Sequence, residues 1–213
     1  MNVRELARDG IWSNNPALVQ LLGLCPLLAV SNTATTALGL GLVTLVILTL
    51  SNVTISLLRH FLVETTRLPM QILVIATFVT IADLALQAWL FELHQRIGLF
   101  VALIVTNCTL LGRAESFASR QPVAASLVDG LMMGFGFLLA ILLLGVTREF
   151  LGHGTVFAHL YLLTGGEPPA QSSAGGGFLL ALLPPGAFIL LGCLVALKNL
   201  VDAPANETTE EVS

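Results

Sequence analysis

Apolar residues gather along this chain in runs too long for a soluble core. The first run, about 16–30, is short and stops at Ser31-Asn32-Thr33-Ala34-Thr35-Thr36, which carries no charge. Two full-length runs follow, about 37–58 and 69–91. The rhythm then repeats with a short run at about 97–111 that ends at Gly112-Arg113 and a long one at about 123–147. A last run at about 178–200 is interrupted by Pro184-Pro185. About 20 apolar residues of helix cross the roughly 30 Å hydrocarbon core, whereas 15 residues reach only about 22 Å. The long runs predict spanning helices, and the two short ones predict segments broken near the midplane. A β-barrel would alternate apolar and polar positions in stretches of about 10 residues, a pattern absent here. The expected fold is an all-α membrane protein with six transmembrane segments.

The two halves echo each other in residues as well as rhythm. Gly23-Leu24-Cys25-Pro26-Leu27-Leu28 is matched by Thr106-Asn107-Cys108-Thr109-Leu110-Leu111 at an offset of 83 positions. The same offset pairs Leu18 with Val101 and Leu21 with Ile104. Farther on, Arg59-His60-Phe61 is echoed by Arg148-Glu149-Phe150 at an offset of 89. This predicts an internal duplication, with repeat one about 16–91 and repeat two about 97–200. Three segments per repeat force the halves into opposite orientations, giving two inverted three-helix repeats. Residues 1–15, with Arg4, Glu5, Arg8, Asp9 and Trp12, read as an amphipathic lead-in with an interfacial tryptophan. Residues 201–213 read as a disordered acidic tail, and 148–177 as a long connection rich in Gly-Gly, Pro-Pro and Ser-Ser pairs.

Composition agrees: 55% of the 213 residues are hydrophobic and 10% charged, against about 25% charged in soluble domains. The net charge of −4 comes largely from the tail, and no nucleic-acid partner is expected. With six spans, seven of the nine Lys and Arg side chains fall on the side of the two termini. Only Arg96 and Arg148 fall on the other. The positive-inside rule therefore predicts both termini in the cytoplasm.

Candidate chemistry rests on the cysteines. Cys193 has no echo and reads as a buried structural thiol. Cys25 and Cys108 recur in matching surroundings. A thiolate in an apolar setting needs a compensating positive charge, which a soft metal centre supplies. The helix breaks are expected just after these cysteines, with Thr33, Thr36, Thr106, Asn107 and Thr109 available to satisfy freed backbone groups or to donate to sulfur. The two thiolates are predicted to meet at mid-membrane on the axis relating the halves. An iron–sulfur cluster takes four ligands. There is no CxxC, and His60, His94, His153 and His159 lie in predicted loops as interfacial residues. A cluster would need two more cysteines from a second chain.

Asp83 and Asp129 are the acids deepest in apolar runs, which makes each a candidate for an ion path. Asp83 has Gln87 at i+4 as a helix-face partner, whereas Asp129, near the start of its run, can also face the headgroups. Gly130, Gly134 and Gly136 read as close helix packing.

The residues Asn14-Asn15-Pro16, Gln20 through Val30, Thr106-Asn107-Cys108 and Arg113 through Ala118 carry a resemblance to a known family. The chain resembles the paired six-helix membrane subunits of the Rnf and Na⁺-translocating NADH:quinone reductase complexes, over essentially residues 1–200. The resemblance implies a [2Fe–2S] cluster shared with a homologous six-helix partner of opposite orientation, the A-type member of the pair. Each chain would give two cysteines, here Cys25 and Cys108. It also implies the bacterial inner membrane, the other Rnf subunits as neighbours, and electron transfer between NADH and ferredoxin coupled to Na⁺ or H⁺ movement. Such a chain is part of an enzyme and not catalytic alone. A small inverted-repeat secondary transporter or channel with structural cysteines is the alternative, because broken helices are common there too. A purely structural assembly component is a third.

Overall fold

The computed structural model describes residues 8–59, 66–153 and 183–210, and every regular element in them is helical. A wide turn at Asp9–Ser13 precedes helix α1, Leu24–Val30. Helices α2, Ala34–Leu58, and α3, Arg67–Trp89, follow. Helix α4, Phe91–Ala102, continues through a tight turn at Leu103–Thr106 into α5, Cys108–Arg113, and a wide turn at Ala114–Ala118. Helices α6, Val123–His153, and α7, Pro184–Glu210, complete the fold.

Five of these stretches are long and apolar enough to cross a membrane: Ala34–Leu58, Arg67–Trp89, Phe91–Ala118, Val123–Gly152 and Pro184–Asp202. The first short run is not among them. Of it only Leu24–Val30 is helical, a length of about 10 Å. Leu21 and Gly23 take positive φ, 52° and 71°, a region that stops a right-handed helix.

Lipid is as apolar as leucine, so burial alone does not hold such helices together; close backbone packing does. Helices α2 and α6 form the central pair. A Cβ at Gly130 would lie 2.9 Å from the Thr49 α-carbon, and one at Gly134 would lie 3.0 Å from that of Leu45. These two glycines bring α6 against α2, as the small-residue pattern predicts. Gly136 does the same toward a different neighbour, the Gly10 backbone. Leu40, Ile47, Leu48, Phe137, Ile141 and Leu144 fill the seam.

The remaining elements wrap this pair with matching relations. α2 packs on α3 and α4, while α6 packs on α7 and on the Asp9–Ser13 turn. α1 meets α7, and α5 meets α3. The two ends of the chain are tied together: Trp12 Nε1 donates to Asp202 Oδ1 at 2.7 Å, and Lys198 bonds the other oxygen at 2.7 Å while lying over the Trp12 ring.

Two sequence expectations change. The loop expected at 92–96 is helix, because α4 starts at Phe91 after a single non-helical residue, Leu90. α7 continues helical to Glu210, into the stretch read as an acidic tail; extending a formed helix is far easier than starting one. Most of the 148–177 connection lies outside the described residues.

Candidate functional site

Both cysteines open short helices. Cys25 is the second residue of α1 and Cys108 the first of α5. The breaks thus fall just before the cysteines, not just after them as the apolar runs suggest. The physical reason lies in the residues that cap each start. Gly23 sits in the left-handed region ahead of α1. Asn107 is extended, with φ −67° and ψ 120°, and its Oδ1 accepts a bond from Thr109 N at 2.9 Å. That is an N-cap, which fixes where a helix begins.

The two breaks touch. A Cβ on Gly23 would stand 2.8 Å from Thr109 Oγ1, 2.9 Å from Asn107 Oδ1 and 3.0 Å from the Phe137 ring. Residues from both echoing stretches therefore meet at one point beside α6. Asn107 Nδ2 and Thr109 Oγ1 are buried there without a hydrogen-bond partner. The thiols of Cys25 and Cys108 are free and exposed on this chain. Cys193 is exposed too, contrary to the buried thiol expected of it, because α7 shows most of its surface.

Polar side chains hold this arrangement inside an apolar bundle. Asn15, almost fully buried, accepts from Ala17 N at 3.0 Å and Leu18 N at 3.1 Å. Its amide donates to Gly136 O on α6 at 3.0 Å, so the irregular stretch before α1 is pinned to the central pair. At the far end of α1, buried Arg148 donates to Leu28 O at 3.0 Å and Ser31 Oγ at 2.9 Å. Glu149 accepts from Ala34 N at 2.7 Å at the start of α2. A cation at one helix C-terminus and an anion at the next N-terminus both oppose the helix dipoles favourably. Sequence reasoning placed Arg148 and Glu149 only as repeat landmarks at the head of a loop. Their echo of Arg59-His60 was the signal that they do more.

The second break is clamped in a similar way. Arg113, at the end of α5, donates Nε to Asp129 Oδ2 at 3.0 Å, pairs with the other oxygen, and lies over the Phe117 ring. Asp129 is buried, so it faces neither headgroups nor water. Glu115 binds Arg67 at 3.2 Å and Gln71 at 2.9 Å, tying the following turn to α3. Thr33 Oγ1 caps α2 by accepting from Thr36 N at 3.3 Å, and Thr106 Oγ1 donates to Leu103 O at 3.2 Å.

Asp83 is in α3, an element that contains neither cysteine. Gln87 donates to its Oδ2 at 3.1 Å, as the i+4 spacing predicts. His94, expected in a loop, is in the first turn of α4 with Nε2 3.6 Å from Asp83 Oδ1. His60 and His159 lie outside the described residues, as does the side chain of His153.

Among the described residues no three His, Cys, Asp or Glu side chains gather around one point. Each of the two touching breaks is followed by an exposed thiol, and Cys108 has the partnerless Asn107 Nδ2 and Thr109 Oγ1 on its neighbours in the chain; two thiols are half of the ligand set that an iron–sulfur cluster takes. A centre at this place would draw the rest of its ligands from another chain.

Comparison with known proteins follows the same line. The family described as "Rnf-Nqr subunit, membrane protein" matches residues 3–195. The E component of the ion-translocating oxidoreductase complex of Thioalkalivibrio sulfidiphilus is 52% identical, across 95% of this chain and 91% of that one. The corresponding component from Pseudomonas aeruginosa is 52% identical, across 93% and 85%. That of Rhodobacter capsulatus is 51% identical, across 98% and 87%.

Proposed function

The chain belongs to the Rnf-Nqr family of membrane subunits, and from that premise we propose that it carries electrons across the bilayer through a [2Fe–2S] cluster shared with a homologous, inverted partner of the A type. The carrying observation is that Gly23, ahead of one cysteine helix, packs directly on Asn107 and Thr109, which start the other. Bound there, the cluster supplies a one-electron carrier held by thiolates. Cys25 and Cys108 give two of the four ligands from this side. Asn15, Arg148 and Asp129 keep the two short helices at fixed positions against α6. Asn107 Nδ2 and Thr109 Oγ1 are donors still free to act near sulfur, one of the means by which a protein sets a cluster's potential. The relatives' names favour an oxidoreductase component over a secondary transporter.

The proposal includes six crossings in two inverted repeats, in a bacterial inner membrane, with both termini cytoplasmic. The matching relations of the two halves around the α2–α6 pair support it. The first crossing would be the broken stretch ending in α1. A reporter fused at the C-terminus is then expected to be active only as a cytoplasmic reporter. A C-terminus and N-terminus on opposite faces would mean that this stretch does not cross. Within the complex, electrons pass between NADH and ferredoxin while Na⁺ or H⁺ moves, and Asp83 lies on the ion path.

The test is spectroscopic. Absorption and electron paramagnetic resonance of this chain purified with its partner should show a [2Fe–2S] centre. The chain expressed alone should hold no stable centre, because it brings two ligands where four are needed. A full cluster on the isolated chain would end the shared-site reading.

A further inference from the structure

Asp83 and His94 are left over from the electron path, and their geometry is unusual for a membrane span. Asp83 belongs to the spanning helix α3. One of its oxygens, Oδ2, accepts from Gln87, but Oδ1 is buried without a hydrogen-bond partner. Directly opposite, His94 Nε2 stands 3.6 Å away, inside ion-pair range but beyond a hydrogen bond. His94 Nδ1 is likewise buried without a partner. The acid's partnerless oxygen thus has an imidazole nitrogen as its nearest basic group, at a separation that a proton on Nε2 would turn into an ion pair. Leaving one carboxylate oxygen buried without a donor is costly, and a protonated His94 Nε2 would supply that donor.

The imidazole is held in place by a missing side chain. A Cβ at Gly98, one turn on in α4, would lie 2.5 Å from His94 Cε1 and 2.8 Å from Nδ1. Gly98 therefore leaves the space in which the ring lies beside Asp83. Among the described residues the other titratable groups on the neighbouring elements are paired or exposed, the exposed Cys108 thiol of α5 among them. α2 contains none, and neither does the turn Leu103–Thr106. Arg67 lies about 24 Å along α3 and is paired with Glu115. Arg113 in α5 is paired with Asp129. Glu92 and Arg96 in α4 are exposed.

We propose that Asp83 and His94 form a single proton-binding pair, in which His94 takes a proton from water and holds it against the Asp83 carboxylate. The balance is simple: one proton adds to an imidazole nitrogen, the carboxylate stays ionised, and the same proton leaves on return. The pair alternates between net charge zero and minus one. An imidazole beside the carboxylate favours a proton over a hard metal cation, which prefers all-oxygen surroundings. This rests on the reading of Asp83 as part of the ion path and deepens it by naming the ion handled at this step. His94 is the group that binds the proton, and Asp83 holds the resulting imidazolium by its charge.

The test uses the whole complex in proteoliposomes, with proton movement measured against electron transfer from about pH 5.5 to 8. Asp83→Asn should slow proton-coupled turnover and leave the cluster spectrum intact. His94→Gln should lower it about 100-fold, the smaller end of what a positioned acid–base group contributes, and flatten its pH profile. Gly98→Ala changes no ionisable group and improves helix propensity, yet displaces the ring, so it should give the same flattened profile. His94→Lys, charged throughout, should match Asp83→Asn at every pH. A cluster spectrum like the wild type shows that each variant is assembled. Wild-type turnover and pH profile in both His94→Gln and Gly98→Ala, with Asp83→Asn impaired, would overturn the pair and leave the ion path standing. Full turnover in Asp83→Asn would overturn both.

Discussion

Cys25→Ser and Cys108→Ser are each expected to abolish the [2Fe–2S] signal and electron transfer through the assembled complex. Serine keeps the shape but not the soft donor that iron in such a site requires. Losing a group that only supports a metal ligand commonly costs about 10–100-fold in affinity or activity, and losing the ligand itself costs more. Because the four ligands act as a unit, the double variant should be little worse than either single one. Cys193→Ser is the internal control. Its thiol is exposed on α7, away from both breaks in sequence, and the spectrum should not change. A normal cluster complement in the Cys25→Ser, Cys108→Ser double variant would return both residues to ordinary surface thiols.

The second large effect should come from a residue that carries no functional group. Gly23→Ala is expected to remove the cluster while the chain still inserts in the membrane. Two penalties coincide there. At φ 71° a side chain is strained, by roughly 1–2 kcal/mol. The added Cβ would also meet Thr109, Asn107 and Phe137 at 2.8–3.0 Å, and such overpacking typically costs about 1–3 kcal/mol. The apolar spans are unaffected, so membrane insertion should match the wild type. What is lost is the approach of the two helix starts. Gly112→Ala makes a suitable comparison, since its Cβ would meet only Leu22 Cδ1 at 3.8 Å, ordinary contact distance. Equal cluster content in Gly23→Ala and Gly112→Ala, read by absorption of the co-purified complex, would show that the contact between the breaks does not matter.

The glycines illustrate how far a pattern can be read. Gly130 and Gly134 are spaced for close packing, and α6 does pack on α2 through them. Gly136 belongs to the same cluster but has a different neighbour, Gly10. Spacing along a helix fixes which residues share a face, not what lies against it. The acids show the same boundary. Asp83 and Gln87 are four apart on one helix, and their bond was visible in the chain order. Arg113 and Asp129 belong to different elements, as do Asp83 and His94, so only the fold could pair them.

What this sequence determines by itself is local and solvent-driven. Long apolar runs must be helices in a bilayer, because lipid offers the backbone no hydrogen bonds. Repeated surroundings for Cys25 and Cys108 mark them as equivalent, and the short runs around them cannot cross as single regular helices. The tertiary structure decided the rest. It placed the breaks ahead of the cysteines, since a cap is made by a backbone angle at Gly23 and a side-chain bond at Asn107 that hydropathy does not register. It also brought Arg148 and Glu149 from the end of α6 to the turn between α1 and α2, more than 110 positions away in the chain. Buried charges in a membrane settle where they find partners, and those partners are chosen by packing across the bundle, not by neighbours along the chain.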